Sequence, residues 1–332
     1  NSNNRTKVKG PIMLWTHNTI LSDSNTNPND SNVYVNSAND FALYNVLGGV
    51  ASGRQISTSP ESGTNTGIQT PNGKICFGTG FGIYSIGSGS VIYDNTMRTN
   101  DNGGQTQSFR LSTDNNEEEE KTESNKLAAL VPSSRSRIWL NLERGVPPTS
   151  GTNYNPLKQI LVGYSPCYGQ DCATTSDSDR VFDAETVTAD SSPSIDFYSF
   201  AVGSTKHLAI QGRGDFQKTD SFKLGYYTTG GTFTITSSHD GLFLTNQYYI
   251  LDADDTGANV GVYHSLPYTF TTGAGTFDNR FKVVFENLVS ITTPTCGIRL
   301  GDIDNSVFST IIPGATAYKF QVRTVSDTGP IL

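Results

Sequence analysis

Charge is scarce in this sequence. Only 16% of its 332 residues are Asp, Glu, Lys or Arg, against about a quarter in an average globular domain. Ser, Thr, Asn and Gly fill the space between the apolar runs, so the surface is polar through hydroxyls and amides. With 23 basic residues against 31 acidic ones, the attraction for phosphate that drives nucleic-acid binding has no source, nor does attachment to an anionic bilayer. Nucleic acid is excluded as a partner on that ground. No apolar run approaches the roughly 20 residues of a membrane helix, so no direct membrane insertion of that kind is expected. The opening NSNNRTKVKG lacks the apolar core of a signal peptide. Its start at Asn1, with the polar surface, predicts a mature or trimmed exported chain.

Helix-period patterns are nearly missing as well. The longest, SNKLAALVP, stops at Pro132 after barely two turns. Strand signals are everywhere: RIWLNL (137–142), QILVGY (159–164), IDFYSF (195–200), HLAIQG (207–212), TFTITS (232–237) and QYYILD (247–252). They are short, rich in β-branched and aromatic residues, and bounded by Gly, Asn, Asp or Ser. Closely spaced short strands predict an all-β protein of β-sandwich or jelly-roll-like modules in series, not a βαβ sheet.

Composition divides the chain further. Residues 1–113 read as an N-terminal β-rich segment with strands around IMLWTH and FALYNV. Residues 114–136 open with DNNEEEEKTESNK, whose adjacent glutamates repel one another, and read as an acidic linker or long loop. Residues 137–287 read as one β-sandwich domain. Residues 288–332 read as the start of an immunoglobulin- or fibronectin-like unit: Tyr318, Phe320 and Val322 alternate, but some 40 residues are under half of such a domain's roughly 100.

The strand phrases also occur together in a known order. RIWLNLE, KQILVGY, DFYSF, LAIQGRG, KLGYYTTGGTFTI, DGLF and PYTFTTGAGTFDNRF, preceded by LWTHNT, NDFALYNVLGGV, FGTGFGIYSI and NTMRT, resemble a β-rich region of Bacteroidetes cell-surface and secreted proteins. The resemblance runs from about Met13 to Phe285. The closing PTCGIRLGDIDNSVFSTIIPGATAYKFQV is similar to the fibronectin-like module that follows the region in some of them. The resemblance implies export by the type IX secretion system, contact with that outer-membrane machinery during export, and display at the cell surface or release, sometimes beside gliding-motility adhesins. It implies a non-enzymatic adhesion or structural role as secretion cargo, with extracellular glycans or proteins as partners, and it transfers no catalytic residue. The alternative is a glycan-binding accessory module of a secreted polysaccharide-degrading enzyme.

Candidate sites are few. Of the cysteines Cys76, Cys167, Cys172 and Cys296, only Cys167 and Cys172 are close enough to suggest a local disulfide, the other reading being two free thiols in a loop. Zinc fits less well, because its other ligands would have to come from scattered positions. Asp252, Asp254 and Asp255 in LDADDTGANVG present clustered carboxylates of the kind calcium prefers, though without EF-hand spacing, and the same residues are ordinary hairpin chemistry. No other cofactor is expected. Trp139 alternates away from Ile138, Leu140 and Leu142 and, with Trp15, is a candidate glycan platform or a packing contact.

Other motifs favour structure. The glycines of FGTGFG precede a strand instead of the helix that a dinucleotide loop requires. Arg213-Gly214-Asp215 leaves the strand LAIQG, whereas receptor reading requires a protruding turn. His17, His207, His239 and His264 lack the spacing of metal or catalytic motifs. Two carboxylates brought together only by folding would leave no mark on the sequence.

Leu266 to Glu286, LPYTFTTGAGTFDNRFKVVFE, reads as a hairpin. Tyr268 and Phe270 alternate before a Gly273–Asn279 turn, and Phe281, Val283 and Phe285 alternate after it. Arg280 is expected to pair with Asp278 or with exposed carbonyls and to hold this hairpin in place.

Overall fold

The computed structural model describes residues 4, 7–8, 10–16, 22–23, 34–35, 40–54, 69–75, 80–93, 135–145, 155–165, 173, 181–187, 194–244, 248–254 and 262–285. Cys167, Cys172, Asp255, the acidic stretch 114–126 and residues 288–332, expected to begin a fibronectin-like unit, lie outside them. By contacts the chain divides into Asn1–Glu286 and Asn287–Leu332, and all of the described residues lie in the first unit.

Its strands are β1 (Ile12–Trp15), β2 (Ser22–Asp23), β3 (Tyr34–Val35), β4 (Phe41–Tyr44), β5 (Gly49–Val50), β6 (Phe81–Gly82), β7 (Ser136–Arg144), β8 (Leu157–Tyr164), β9 (Ala184–Glu185), β10 (Ile195–Ser199), β11 (Leu208–Arg213), β12 (Ser221–Asp240), β13 (Tyr249–Asp252), β14 (Val262–His264) and β15 (Tyr268–Val284). The fold is all-β and sandwich-like, as the spacing of strand signals predicts. Gly241–Leu244, between β12 and β13, is a short 3-10 segment.

β12 organises the main sheet. Along one edge its N-terminal half pairs with β10 and its C-terminal half with β7. β7 pairs with β8, β8 runs parallel to β11, and β11 returns to β10. These pairings close a circuit of strands whose backbone edges satisfy one another. β15 follows the other edge of β12 and carries β13 and then β14. Ile138, Leu140, Leu142, Ile160, Val162, Phe197, Leu224, Tyr226, Phe233, Ile235, Phe281 and Val283 fill the interior, each worth about 1.5–3 kcal/mol when fully buried.

The expected hairpin at 266–286 is instead a single 17-residue strand, β15, laid antiparallel along β12. In β12 the buried side chains are Phe222, Leu224, Tyr226 and Thr228, then Phe233 and Ile235, so the inward parity changes between them. Gly230 and Gly231 stand at that change with φ of +88° and +130°, and Gly275, with φ of +138°, lies opposite Thr228 on β15. These glycines let both strands turn their faces together without the Cβ clash that other residues meet there. The glycines that read as a hairpin loop are a mid-strand crossing. A second irregularity follows: Leu224 pairs with Phe281 and Tyr226 with Phe277, so Asp278, Asn279 and Arg280 stand against Gly225 alone.

A second core covers the opposite face of β8. Leu161 packs with Leu43, Leu47, Val50, Phe182 and Ile210, and the Cβ of any residue at 163 would come within 3.2 Å of Leu47. β8 is thus buried on both faces, which is why QILVGY reads as nearly continuous apolar sequence. Polar links join the same surfaces. Asn45 Nδ2 donates to the Phe182 carbonyl at 2.7 Å, the Ala51 N–H to Gln159 Oε1 at 2.9 Å, and the Arg54 N–H to the Leu157 carbonyl at 2.7 Å. The described residues of 40–54 therefore belong to the same packed unit as β7 and β8.

Candidate functional site

The N-terminal half of β12 turns Phe222, Leu224 and Tyr226 inward, so pleating sends Lys223, Gly225 and Tyr227 outward. At Gly225 an added Cβ would lie 2.1 Å from the Tyr198 ring and 2.9 Å from Asp278 Oδ1. Glycine thus makes the notch in which the ring of Tyr198 lies. Tyr198 donates its hydroxyl to Asp278 at 2.8 Å and stacks on His207 with centroids 3.5 Å apart. Burial first, and then the Asp278 hydrogen bond, push the Tyr198 phenol well up from its ordinary value. It is a fixed neutral donor.

Arg280 takes a different partner from the one the sequence suggests. Asp278 is engaged with Tyr198, and Arg280 turns to Asp252: Nε donates to Oδ1 at 3.0 Å and Nη2 to Oδ2 at 2.9 Å. Nη1 donates to the Thr271 carbonyl at 3.2 Å, the expected kind of carbonyl contact, and to Tyr226 Oη at 3.4 Å. The guanidinium lies 4.7 Å from the Phe270 centroid and 5.0 Å from that of Phe281. Asp252, fully buried, also accepts from Tyr268 Oη at 2.8 Å and from the Asp254 N–H at 3.0 Å. Burial alone raises a carboxyl, but these donors outweigh it and hold Asp252 below the usual range. Burial alone likewise lowers Arg280, and Asp252 and Tyr226 more than reverse that.

Of the acidic residues suggested for calcium, Asp252 thus has both oxygens committed, and Asp254 Oδ2 lies 3.5 Å from Arg280 Nε. Among the described residues no three His, Cys, Asp or Glu side chains are gathered so that they could hold a metal ion.

Arg280 and Phe281 also line a shallow groove of about 240 Å³, whose remaining lining is Lys223, Lys282, Asn279, Leu251 and Ala253. Lys223 Nζ donates to Asn279 Oδ1 at 2.9 Å and lies 5.4 Å from the centroid of Phe200. The groove therefore has a cationic, partly apolar lining. Sequence reasoning missed it because its members meet only through the register of separate strands.

The other candidates are placed as follows. Trp139 is packed, not presented: its Nε1 donates to the Gly49 carbonyl at 2.9 Å, and Arg137 stacks 4.8 Å from its centroid while donating to the Leu47 carbonyl. Trp15 is half-buried in β1 opposite Phe41, in a different sheet from Trp139. Arg213 is only 3% exposed and lies against the rings of Tyr164 and Phe222, so the tripeptide is not displayed. His264 stacks on Tyr268. His239 Nδ1 is 2.8 Å from Tyr248 Oη, which donates to Ser237 Oγ at 3.0 Å, a chain that satisfies a half-buried phenol. Gly82 lies where a Cβ would be 2.7 Å from the Met13 side chain, so glycine there lets the neighbouring strand approach closely. Lys158 and Asp196 are buried charges. Burial lowers the first and raises the second, and Lys158 Nζ reaches the Ser52 carbonyl at 3.4 Å.

A family model, described as a domain of unknown function (DUF8693), matches residues 1–285. The chain belongs to this family. The match ends at Phe285, which among the described residues is the last of the main core and stands one residue before the contact boundary. The DUF8693 region thus includes both the N-terminal segment and the sandwich strands. No curated protein and no solved structure matches the chain.

Proposed function

We propose that this chain is a non-enzymatic adhesion or display module of an exported cell-surface protein, carried out of the cell as type IX secretion cargo. The observation that carries the reading is how the charged and phenolic groups around the groove are used. Arg280, Asp252, Tyr198 and Asp278 are spent on bonds between strands. Tyr198 and Arg280 are pushed up and Asp252 down, all away from neutrality, whereas proton transfer favours a group poised near the working pH. Such groups position strands and stay in one charge state. The order of strand phrases from Met13 to Phe285 supports the export route and the extracellular location.

The test is deletion of the encoding gene in the source cell, scored by adherence and by surface labelling with an antibody to the chain. Lost adherence and a protease-accessible label support the proposal. Turnover of any glycan or peptide by the purified chain would overturn it. A second reading, a glycan-binding accessory module of a polysaccharide-degrading enzyme, is favoured specifically by the cationic groove.

A further inference from the structure

Strand register aligns four outward side chains across four strands. Lys223 on β12 is directly opposite Lys282 on β15, Lys282 is opposite Leu251 on β13, and Leu251 is opposite Tyr263 on β14. Directly opposed residues share a face of the sheet, so the row reads cation, cation, aliphatic, aromatic. With strands spaced about 4.8 Å apart, it is about 14 Å long. The 240 Å³ groove is lined by the first three of these residues, Lys223, Lys282 and Leu251, and Tyr263 follows next in register.

Opposed like charges destabilise a sheet, and among the described residues neither lysine forms an ion pair. Acidic residues outnumber basic ones in this chain, 31 to 23, yet among the described residues none is paired with these two. Lys223 is moreover held in position by Asn279 Oδ1 and by the Phe200 ring. Because Asn279 accepts through its oxygen, its amide nitrogen is left as a donor. Tyr263, 47% exposed, supplies an aromatic ring at the far end.

We propose that this row binds an acidic polysaccharide, its carboxylate or sulfate groups bridging Lys223 and Lys282 and a sugar face stacking on Tyr263. The inference rests on the adhesion reading above and names the ligand class for it. A shallow open groove suits a polymer that runs across the strands. The net charge of −8 opposes every polyanion alike, so the choice of a polysaccharide over a polynucleotide rests on the adhesion reading and is tested with single-stranded DNA.

Affinity electrophoresis of the full chain through gels containing polygalacturonate, dextran sulfate, neutral dextran or single-stranded DNA tests this. Retardation by polygalacturonate or dextran sulfate is expected, and the one that retards more identifies carboxylate or sulfate as the group read. The double variant Lys223→Gln/Lys282→Gln is expected to weaken binding about tenfold. Tyr263→Ala is expected to weaken it as well, while Lys223→Arg/Lys282→Arg retains it. Lys206→Gln, which removes a cation paired with Glu185 elsewhere, leaves binding unchanged. Equal retardation by neutral dextran or DNA, no retardation by either acidic polymer, or binding indifferent to the double variant would overturn the proposal. Source cells carrying the double variant separate the two readings: retained adherence overturns the groove as the adhesion site and leaves the adhesion reading standing, whereas catalytic turnover by the purified chain sinks the adhesion reading alone.

Discussion

Arg280 and Asp252 grip each other at two points, Nε to Oδ1 at 3.0 Å and Nη2 to Oδ2 at 2.9 Å, and so fasten β15 to β13 within the protein interior. The Asp252 side chain is fully buried and that of Arg280 is 11% exposed. A buried charge that loses its partner is far more costly than the pair itself is favourable. Arg280→Ala is therefore expected to destabilise the protein by about 3 kcal/mol or more, and Asp252→Asn by a similar amount. Chemical denaturation of both single variants and the double variant checks this. The double variant should cost less than the sum of the singles, and strict additivity would deny the coupling.

The same pair sets an acid limit. Asp252 titrates below its ordinary value when folded, so the unfolded chain takes up this proton first as pH falls. The stability it contributes is complete above the unfolded carboxyl value of about 3.9 and disappears as pH drops through the lower folded value. Melting temperature followed from about pH 6 to pH 3 should fall less steeply in Asp252→Asn than in the natural chain, because the variant has no proton to take up at this position. Parallel curves would contradict the assignment.

Gly225 is required by the ring above it and not by its own backbone angles. Gly225→Ala is expected to cost about 1–3 kcal/mol, since the new methyl must displace Tyr198 or the Asp278 bulge. Gly80, with nothing within 4 Å of an added Cβ, is the control. Thermal melts of the two variants should differ clearly, with Gly80→Ala close to the natural protein.

Trp139 links the sandwich to the N-terminal segment. Trp139→Phe keeps a ring but removes the hydrogen bond to Gly49, an expected loss of about 1 kcal/mol. Trp139→Ala should cost about 3 kcal/mol or more through lost packing. Polysaccharide retardation should stay unchanged in Trp139→Phe, which separates this residue from the Lys223–Tyr263 row.

The strands were largely legible in the sequence. RIWLNL, QILVGY, IDFYSF and HLAIQG fall within or against β7, β8, β10 and β11, because short runs of β-branched and aromatic residues between polar breaks have few other ways to bury their apolar faces. The stretch 266–286 misled because glycines and an Asp-Asn pair serve a turn and a mid-strand crossing equally well. What separates the two uses is a partner strand with its own glycines opposite, here Gly230 and Gly231 of β12. Arg280 likewise has an obvious neighbour in Asp278, two residues away, yet the bulge turns that neighbour toward Tyr198.

Local patterns, then, determined that the chain is all-β, where most strands lie and which of their faces are apolar, because pleating ties side-chain direction to sequence parity within a strand. Which strands become neighbours, and in what register, was decided only in the tertiary structure. Those choices close the circuit through β12, carry Arg280 to Asp252 over 28 residues of chain, and place Lys223 opposite Lys282. The physical reason is that a cross-strand contact depends on the registers of two separate segments, and neither segment contains the information by itself.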